Sequence, residues 1–149
     1  MTYDVAIVGS GIVGLAHAWR AAVRGKSVLV LERSREPRGA SIRNFGLICP
    51  VCQPLGERYD LASLSRSLWL ELATVAGIWV HECGSLHLAH REDEWAVLQE
   101  FCDHSTSRRR VQLCSPEWIS DKTPAANPQG LLGGLWSSEE LCVNPRLAL

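Results

Sequence analysis

The sequence predicts an α/β fold that opens with a parallel βαβ unit. Three observations carry this. An apolar run, Val5 to Val8, leads directly into Gly9-x-Gly11-x-x-Gly14. The pattern stays in register through Ala18, Gly25, Val28, Val30 and Glu32 as far as Gly39. From Glu57 onward, helical periodicity alternates with short strand candidates. A bare glycine triplet is weak evidence; strand, glycine turn, helix, second strand and terminal acid together are much stronger.

Val5 to Val8 reads as a fully buried parallel strand, because such strands are continuous apolar runs. Gly9 permits the tight turn out of it. Gly11 lets a pyrophosphate approach the backbone, and Gly14 lets the next helix sit close to the sheet. That helix is expected from about Ile12 to about Arg24, its free N–H groups and positive dipole end facing the phosphates of a dinucleotide. Gly25 ends it as a C′ glycine. A second strand follows at Ser27 to Leu31, with Glu32 at its C-terminal tip. A carboxylate there can accept hydrogen bonds from both ribose hydroxyls and would repel a 2′-phosphate, which argues against NADP. Arg33 and Arg35 follow at once, so that exclusion is incomplete. A glycine-rich unit that binds nothing is the plain alternative; the spacing held to Gly39 argues against it.

Arg38 to Leu47 is the second informative block. Its glycines, Ser41, Arg43 and Asn44 offer backbone N–H groups, a hydroxyl and a guanidinium, as a phosphate or a flavin edge would need. A solvated surface loop is the alternative. Glu57 to Ala76 is a helix whose Leu61, Leu64, Leu68, Leu72 and Val75 form a stripe expected to face the core. Gly77 closes it. Trp79 to Ala89 reads as two short strands around Cys83-Gly84-Ser85. Glu92 to His104 is a helix with Trp95, Leu98 and Phe101 on one face. Ser105 to Arg110 is a polar connector with three solvated arginines, too few for a nucleic-acid site. Val111 to Leu113 is a strand candidate, Ser115 and Pro116 are the N-cap and N1 of a helix, and Leu135-Trp136 opens a further strand. Asn144 to Leu149 reads as the N-cap and first turn of another helix, so the sequence is expected to be the first part of something longer.

Composition narrows the class. Hydrophobic residues make up 46% and charged residues 21%, ordinary for a globular protein. A net charge of −1 gives no electrostatic case for nucleic acid or an acidic membrane. No apolar stretch reaches the length of a membrane span, and the apolar start lacks a basic leader; a cytoplasmic protein is expected. Of six cysteines, Cys49 and Cys52 have redox or metal spacing. The second Cys-x-x-Cys that a zinc ribbon needs is absent. A thiol redox pair and inert half-buried side chains both remain open. If His81 to Ala89 is one strand, His81, Cys83 and His87 share a face and His90 points away.

Together, the glycine fingerprint, Glu32, and Gly39-Ala40-Ser41 followed by Arg43-Asn44-x-Gly46 resemble the D-amino-acid-oxidase-like flavoproteins, the group of glycine oxidase and sarcosine oxidase. Ser67 to Leu72, Cys83 to Ala89, Gly130 to Trp136 and Val143 to Arg146 are similar too, and the likeness extends to a branch associated with phosphonate catabolism and aminophosphonate oxidation. The resemblance implies a Rossmann-like FAD-binding βαβ portion at 1–78. It also implies the start of an interleaved α+β substrate domain at 79–149, truncated relative to the family. It implies FAD, C–N bond oxidation of a small amine or amino-acid-like substrate, and a complementing C-terminal polypeptide holding most of the substrate pocket. Carried over by motif, Gly9, Gly11 and Gly14 hold the pyrophosphate and Glu32 the adenosine ribose. Ser41, Arg43 and Asn44 lie along the pyrophosphate toward the flavin ring. Ser10, Ile12, Val13, Arg33 and Gly46 count with them as cofactor-binding. Cys49 and Cys52 depart from the bulky residue and glycine expected there. No residue stands out as a general base, and no metal is expected. A non-catalytic nucleotide-binding remnant and a glycine oxidase-like enzyme of thiamine synthesis are the alternatives. The extended Gly39 to Gly46 block argues against a NAD-dependent dehydrogenase.

Overall fold

A computed structural model describes residues 2–36, 38–105 and 108–149. It opens with β1 (Val5–Val8), α1 (Ile12–Val23) and β2 (Val28–Leu31). The strands pair in parallel, from Val5 with Val28 to Val8 with Leu31. Asp4 ties their starting ends together, its carboxylate accepting from the Ser27 N–H at 2.8 Å and the Ser27 hydroxyl at 2.7 Å. The βαβ unit therefore forms as the glycine spacing predicts. Full burial of β1 does not follow. Val5 and Ile7 are half-buried, whereas Ala6 is exposed and Val8 is 87% exposed. This sheet has two strands, and a parallel strand is buried only where both of its faces are covered.

The chain continues through a 3-10 turn at Ala40–Ile42, β3 (Leu47–Ile48), a second 3-10 turn at Pro50–Cys52 and α2 (Glu57–Ala76). The leucine stripe of α2 is only partly used. Leu68 and Leu72, with Trp69, face Leu15 and Trp19 of α1 across an open apolar groove of about 540 Å³. Leu61, Leu64 and Val75 are exposed, which corrects the expectation of a continuous core face. No element of the described residues is layered over those turns.

Beyond α2 lie β4 (Val80–His81), β5 (Ser85–Ala89), α3 (Glu92–His104), β6 (Val111–Cys114), α4 (Pro116–Lys122), β7 (Gly133–Ser137) and β8 (Leu141–Val143). They form two antiparallel sheets, β3-β8-β4 and β5-β7-β6. β4 and β5 therefore part company at Cys83-Gly84, so His81 and His87 belong to different sheets and the shared face does not arise. Gly133 lies against Trp95 of α3 and its neighbour Gly134 against Ile119 of α4. Successive strand residues point to opposite faces, so α3 and α4 cover the two sides of the β5-β7-β6 sheet. The buried cluster of Cys114, Ile119 and Leu131, with Leu86, Leu88, Trp118, Ala126 and Trp136 packed on it, sits here rather than under the βαβ unit. Ser115 caps α4 by accepting the Trp118 N–H at 3.3 Å, as its sequence predicts.

One further expectation is corrected. Arg109 of the polar connector is buried, its guanidinium 4.7 Å from the Phe101 ring centroid and 5.4 Å from that of Tyr59, and it donates to the Gln53 carbonyl. The faces of two aromatic rings attract a guanidinium, which is more weakly hydrated than an ammonium. Residues 106 and 107 of the connector lie outside the described residues. At the far end, the Asn144 carbonyl accepts from Leu147 and Ala148, each at 3.1 Å, and its side chain from the Arg146 N–H at 3.0 Å. Asn144 thus makes the bonds of an N-cap over a single turn, as its sequence predicts.

Glu140, which the sequence does not single out, is fully buried. Its carboxylate accepts from the Val51 N–H at 3.1 Å and the Ser85 hydroxyl at 3.2 Å, and its carbonyl accepts the Gly84 N–H at 3.1 Å. Glu140→Ala would strand the Val51 N–H in the interior and leave the Ser85 hydroxyl only its contact with His87 Nε2 at 3.2 Å. We expect a loss of about 1–3 kcal/mol of stability, read as a lower urea midpoint at unchanged slope.

Candidate nucleotide-binding site

Because β1 and β2 are parallel, their C-terminal ends open on the same side, the usual place for a ligand in such sheets. The Gly9 N–H donates to the Leu31 carbonyl at 2.8 Å and extends the pairing one step past β1. Gly11 is the N-cap of α1 and its extended backbone leaves no side chain to satisfy the first turn. One of those N–H groups, that of Ile12, donates instead to the Ser41 hydroxyl at 3.0 Å. The polar loop is thereby drawn onto the helix start. Gly14 presses the helix on the turn: a Cβ there would lie 2.1 Å from the Gly9 carbonyl oxygen.

Glu32 closes the other side. One carboxylate oxygen accepts from the Ser10 N–H at 2.9 Å and the Ser10 hydroxyl at 3.3 Å; the other accepts the Ser34 N–H at 3.0 Å. These bonds, that of the Ser10 N–H foremost, hold its carboxyl below the usual glutamate range. Between the glycine turn and Glu32 lies a cavity of about 340 Å³, walled by Ser10, Gly11, Glu32, Arg33, Arg38 and Ser41 among others. Arg38 was not singled out as a binding group, although it opens the polar block one residue before Gly39. It brings a second guanidinium to the wall.

The remaining candidates fall elsewhere. Asn44 folds its own loop: its amide donates to the carbonyls of Ala40 at 3.1 Å and Ser41 at 2.9 Å, and its oxygen accepts the Gly46 N–H at 2.7 Å. Gly46 has a φ of +68°, and a Cβ there would stand 1.9 Å from the Val143 carbonyl oxygen, so only glycine fits. With Ile12 and Ser41, Asn44 and Gly46 line a second, smaller cavity of about 190 Å³ next to the first. Arg43 is exposed and off the wall of the larger cavity, and Val13 is 68% exposed beside the open side of β1. His17 spends its Nδ1 on the Val13 carbonyl at 2.7 Å. Among the described residues no three histidine, cysteine, aspartate or glutamate side chains gather as a metal site, and no helix is long and apolar enough to cross a membrane.

A glycine turn between parallel strands, a carboxylate at the tip of the second strand and a polar loop seated on the helix start make a βαβ unit of the Rossmann-like class. The chain belongs to the DAO family, described as FAD dependent oxidoreductase, whose model matches residues 4–149. It is 26% identical over 155 residues to a glycine oxidase of Bacillus licheniformis, covering 96% of this chain and 40% of that one. The solved glycine oxidase of Bacillus cereus superposes with a TM-score of 0.86 at 26% identity, covering 99% of this chain and 43% of that one. L-α-glycerophosphate oxidase of Mycoplasma pneumoniae, solved with FAD bound, superposes at 0.80 and 23% identity, over 99% of this chain and 40% of that one; this likeness concerns the fold. The chain thus spans about 40% of the length of the relatives it matches.

The Glu32 bonds give a pH test. With its carboxyl lowered in the folded chain, the closure they provide is complete above the ordinary value of 4.5 and is lost as pH falls through the lowered one. The Ser10 and Ser34 amide resonances are expected to titrate together with a midpoint below 4.5, and Glu32→Gln to abolish that step.

Proposed function

We propose that this chain is the ADP-holding part of an FAD-dependent oxidoreductase that oxidises the C–N bond of an amine or amino-acid-like substrate. The observation that carries the reading is the cavity between the glycine turn and Glu32. The residues present fit the adenosine and pyrophosphate of FAD. Gly11 leaves room for the pyrophosphate where a side chain would project toward Ser41, a Cβ standing 3.1 Å from its hydroxyl. The start of α1 offers N–H groups and the positive dipole end to the phosphates. Arg33 and Arg38 add positive charge, and the Glu32 oxygen that accepts the Ser34 N–H keeps one lone pair for a ribose hydroxyl. Ser41, held on Ile12, orients the loop along the pyrophosphate, and Asn44 and Gly46 shape the smaller cavity beside it. When bound, the cofactor supplies the two-electron acceptor for amine oxidation.

Within that class we propose an aminophosphonate as substrate, on the likeness of the Gly39 to Gly46 block, Cys83 to Ala89 and Val143 to Arg146 to the phosphonate-associated branch. Glycine, the substrate named by the glycine oxidases, is the alternative. A second reading, a nucleotide-holding unit without chemistry, is favoured by the walls of the 340 Å³ cavity. They carry arginines, a glutamate, serines and glycines, which suit phosphates and a ribose without calling for any chemistry.

Titration of the purified chain with FAD and with ADP, followed by flavin absorbance and calorimetry, separates these readings. The oxidoreductase reading expects bound flavin that an amine bleaches. ADP binding without retained flavin supports the second. Gly11→Val should weaken either nucleotide at least about tenfold, roughly 1.4 kcal/mol. Equal affinity in that variant would place the nucleotide elsewhere.

A further inference from the structure

The turn at Pro50–Cys52 holds a feature that nucleotide binding does not use. The sulfurs of Cys49 and Cys52 stand 2.9 Å apart. Their closeness follows from how the turn is pinned. Pro50 and Val51, between them, are both buried. The Val51 N–H is held by the buried Glu140 carboxylate at 3.1 Å, and the Gln53 N–H closes the turn on the Pro50 carbonyl at 3.0 Å. The pinned turn keeps the two cysteine backbones within one turn of each other. Their surroundings differ, since Cys52 is exposed and Cys49 half-buried; of the other cysteines, Cys114 is buried and Cys83, Cys102 and Cys142 are half-buried. Among the described residues no further histidine, cysteine, aspartate or glutamate joins the pair as a metal group.

We propose that Cys52 and Cys49 form a thiol–disulfide exchange site for low-molecular-weight disulfides of the glutathione class. Cys52 is the attacking thiol and Cys49 the resolving one. In the first step the Cys52 thiolate attacks oxidised glutathione: a Cys52–glutathione bond forms, the glutathione disulfide breaks, and one glutathione thiolate leaves. In the second, the Cys49 sulfur attacks Cys52 and expels the second glutathione, whose sulfur takes the Cys49 proton. The two cysteines lose two electrons and two protons, and one glutathione disulfide becomes two thiols. The division of labour agrees with the surroundings. Burial, then the hydrogen bond with Cys52, pushes the Cys49 thiol up to about 12, so the half-buried Cys49 is the poorer first nucleophile of the two.

The test equilibrates the full chain in glutathione buffers from reducing to oxidising, blocks free thiols with a maleimide, and maps the peptides by mass. The expected product is an internal disulfide on the peptide carrying Cys49 and Cys52, lighter by two hydrogens. Cys49→Ser should trap one glutathione on Cys52. Cys52→Ser, a change at an exposed position, should slow glutathione capture at Cys49 at least about tenfold. The proposal is overturned if both thiols stay open to maleimide in the oxidising buffer. It is equally overturned if Cys83, which lies beside Cys142, bridges to it first, or if Cys49 reacts as fast without Cys52. The wild-type map decides the matter even if a variant fails to fold.

Discussion

The fold is tied together by a short return strand. β8 comes back from near the far end of the chain to pair with both β3 and β4, Cys142 standing opposite Leu47 on one side and His81 on the other. The buried Glu140 at its head anchors the Pro50–Cys52 turn and the start of β5 at once. A carboxylate taken out of water is tolerated only when its lone pairs are filled, and here they are filled by two different parts of the chain. That double anchoring ties the Pro50–Cys52 turn to the start of β5.

The same return strand finishes the proposed nucleotide cradle. Gly46 lies directly on Val143, and its carbonyl accepts the Val143 N–H at 2.8 Å. Asn44 fixes Gly46 from within the loop, and Ser41 fixes the loop to α1. The cradle thus has a local half, the glycine turn with Glu32, and a borrowed half that depends on β8. The local half is the less protected. α1 buries no residue completely, and Val8 at the end of β1 stands open, so the parallel pair relies on its hydrogen bonds and on a thinly covered apolar groove.

What could be read from the sequence divides along the same line. The βαβ unit, α3, the α4 cap and the Glu32 position were legible because each rests on contacts close in sequence: a glycine spacing, a capping serine, an acid after a strand. Strands β3 and β8 were not, since two or three residues carry no periodicity and their pairing is decided at long range. Glu140 looked like any loop acid; nothing local signals that Val51 and Ser85 will surround it. The leucine stripe of α2 was read correctly as a pattern and wrongly as a core, because periodicity says which face is apolar and not whether anything lies over it. In the site, the spacing brought out the glycines and Glu32, whereas Arg38 was passed over and Asn44 proved to hold its own loop. Arg109 misled for the opposite reason: a charge run looks solvated until two aromatic rings are known to flank it.

The dependence of Gly46 on Val143 also sets an order of events during synthesis. The glycine turn, α1 and β2 leave the ribosome early, and their contacts are local enough to form at once. The loop can already hold Ser41 on Ile12, but Gly46 lacks its far contact until Val143 emerges, on the order of ten seconds later at ordinary rates of elongation. For that interval the nascent chain carries the glycine turn without the wall that β8 supports. A nucleotide arriving then would find half a seat, and a chaperone a ready client.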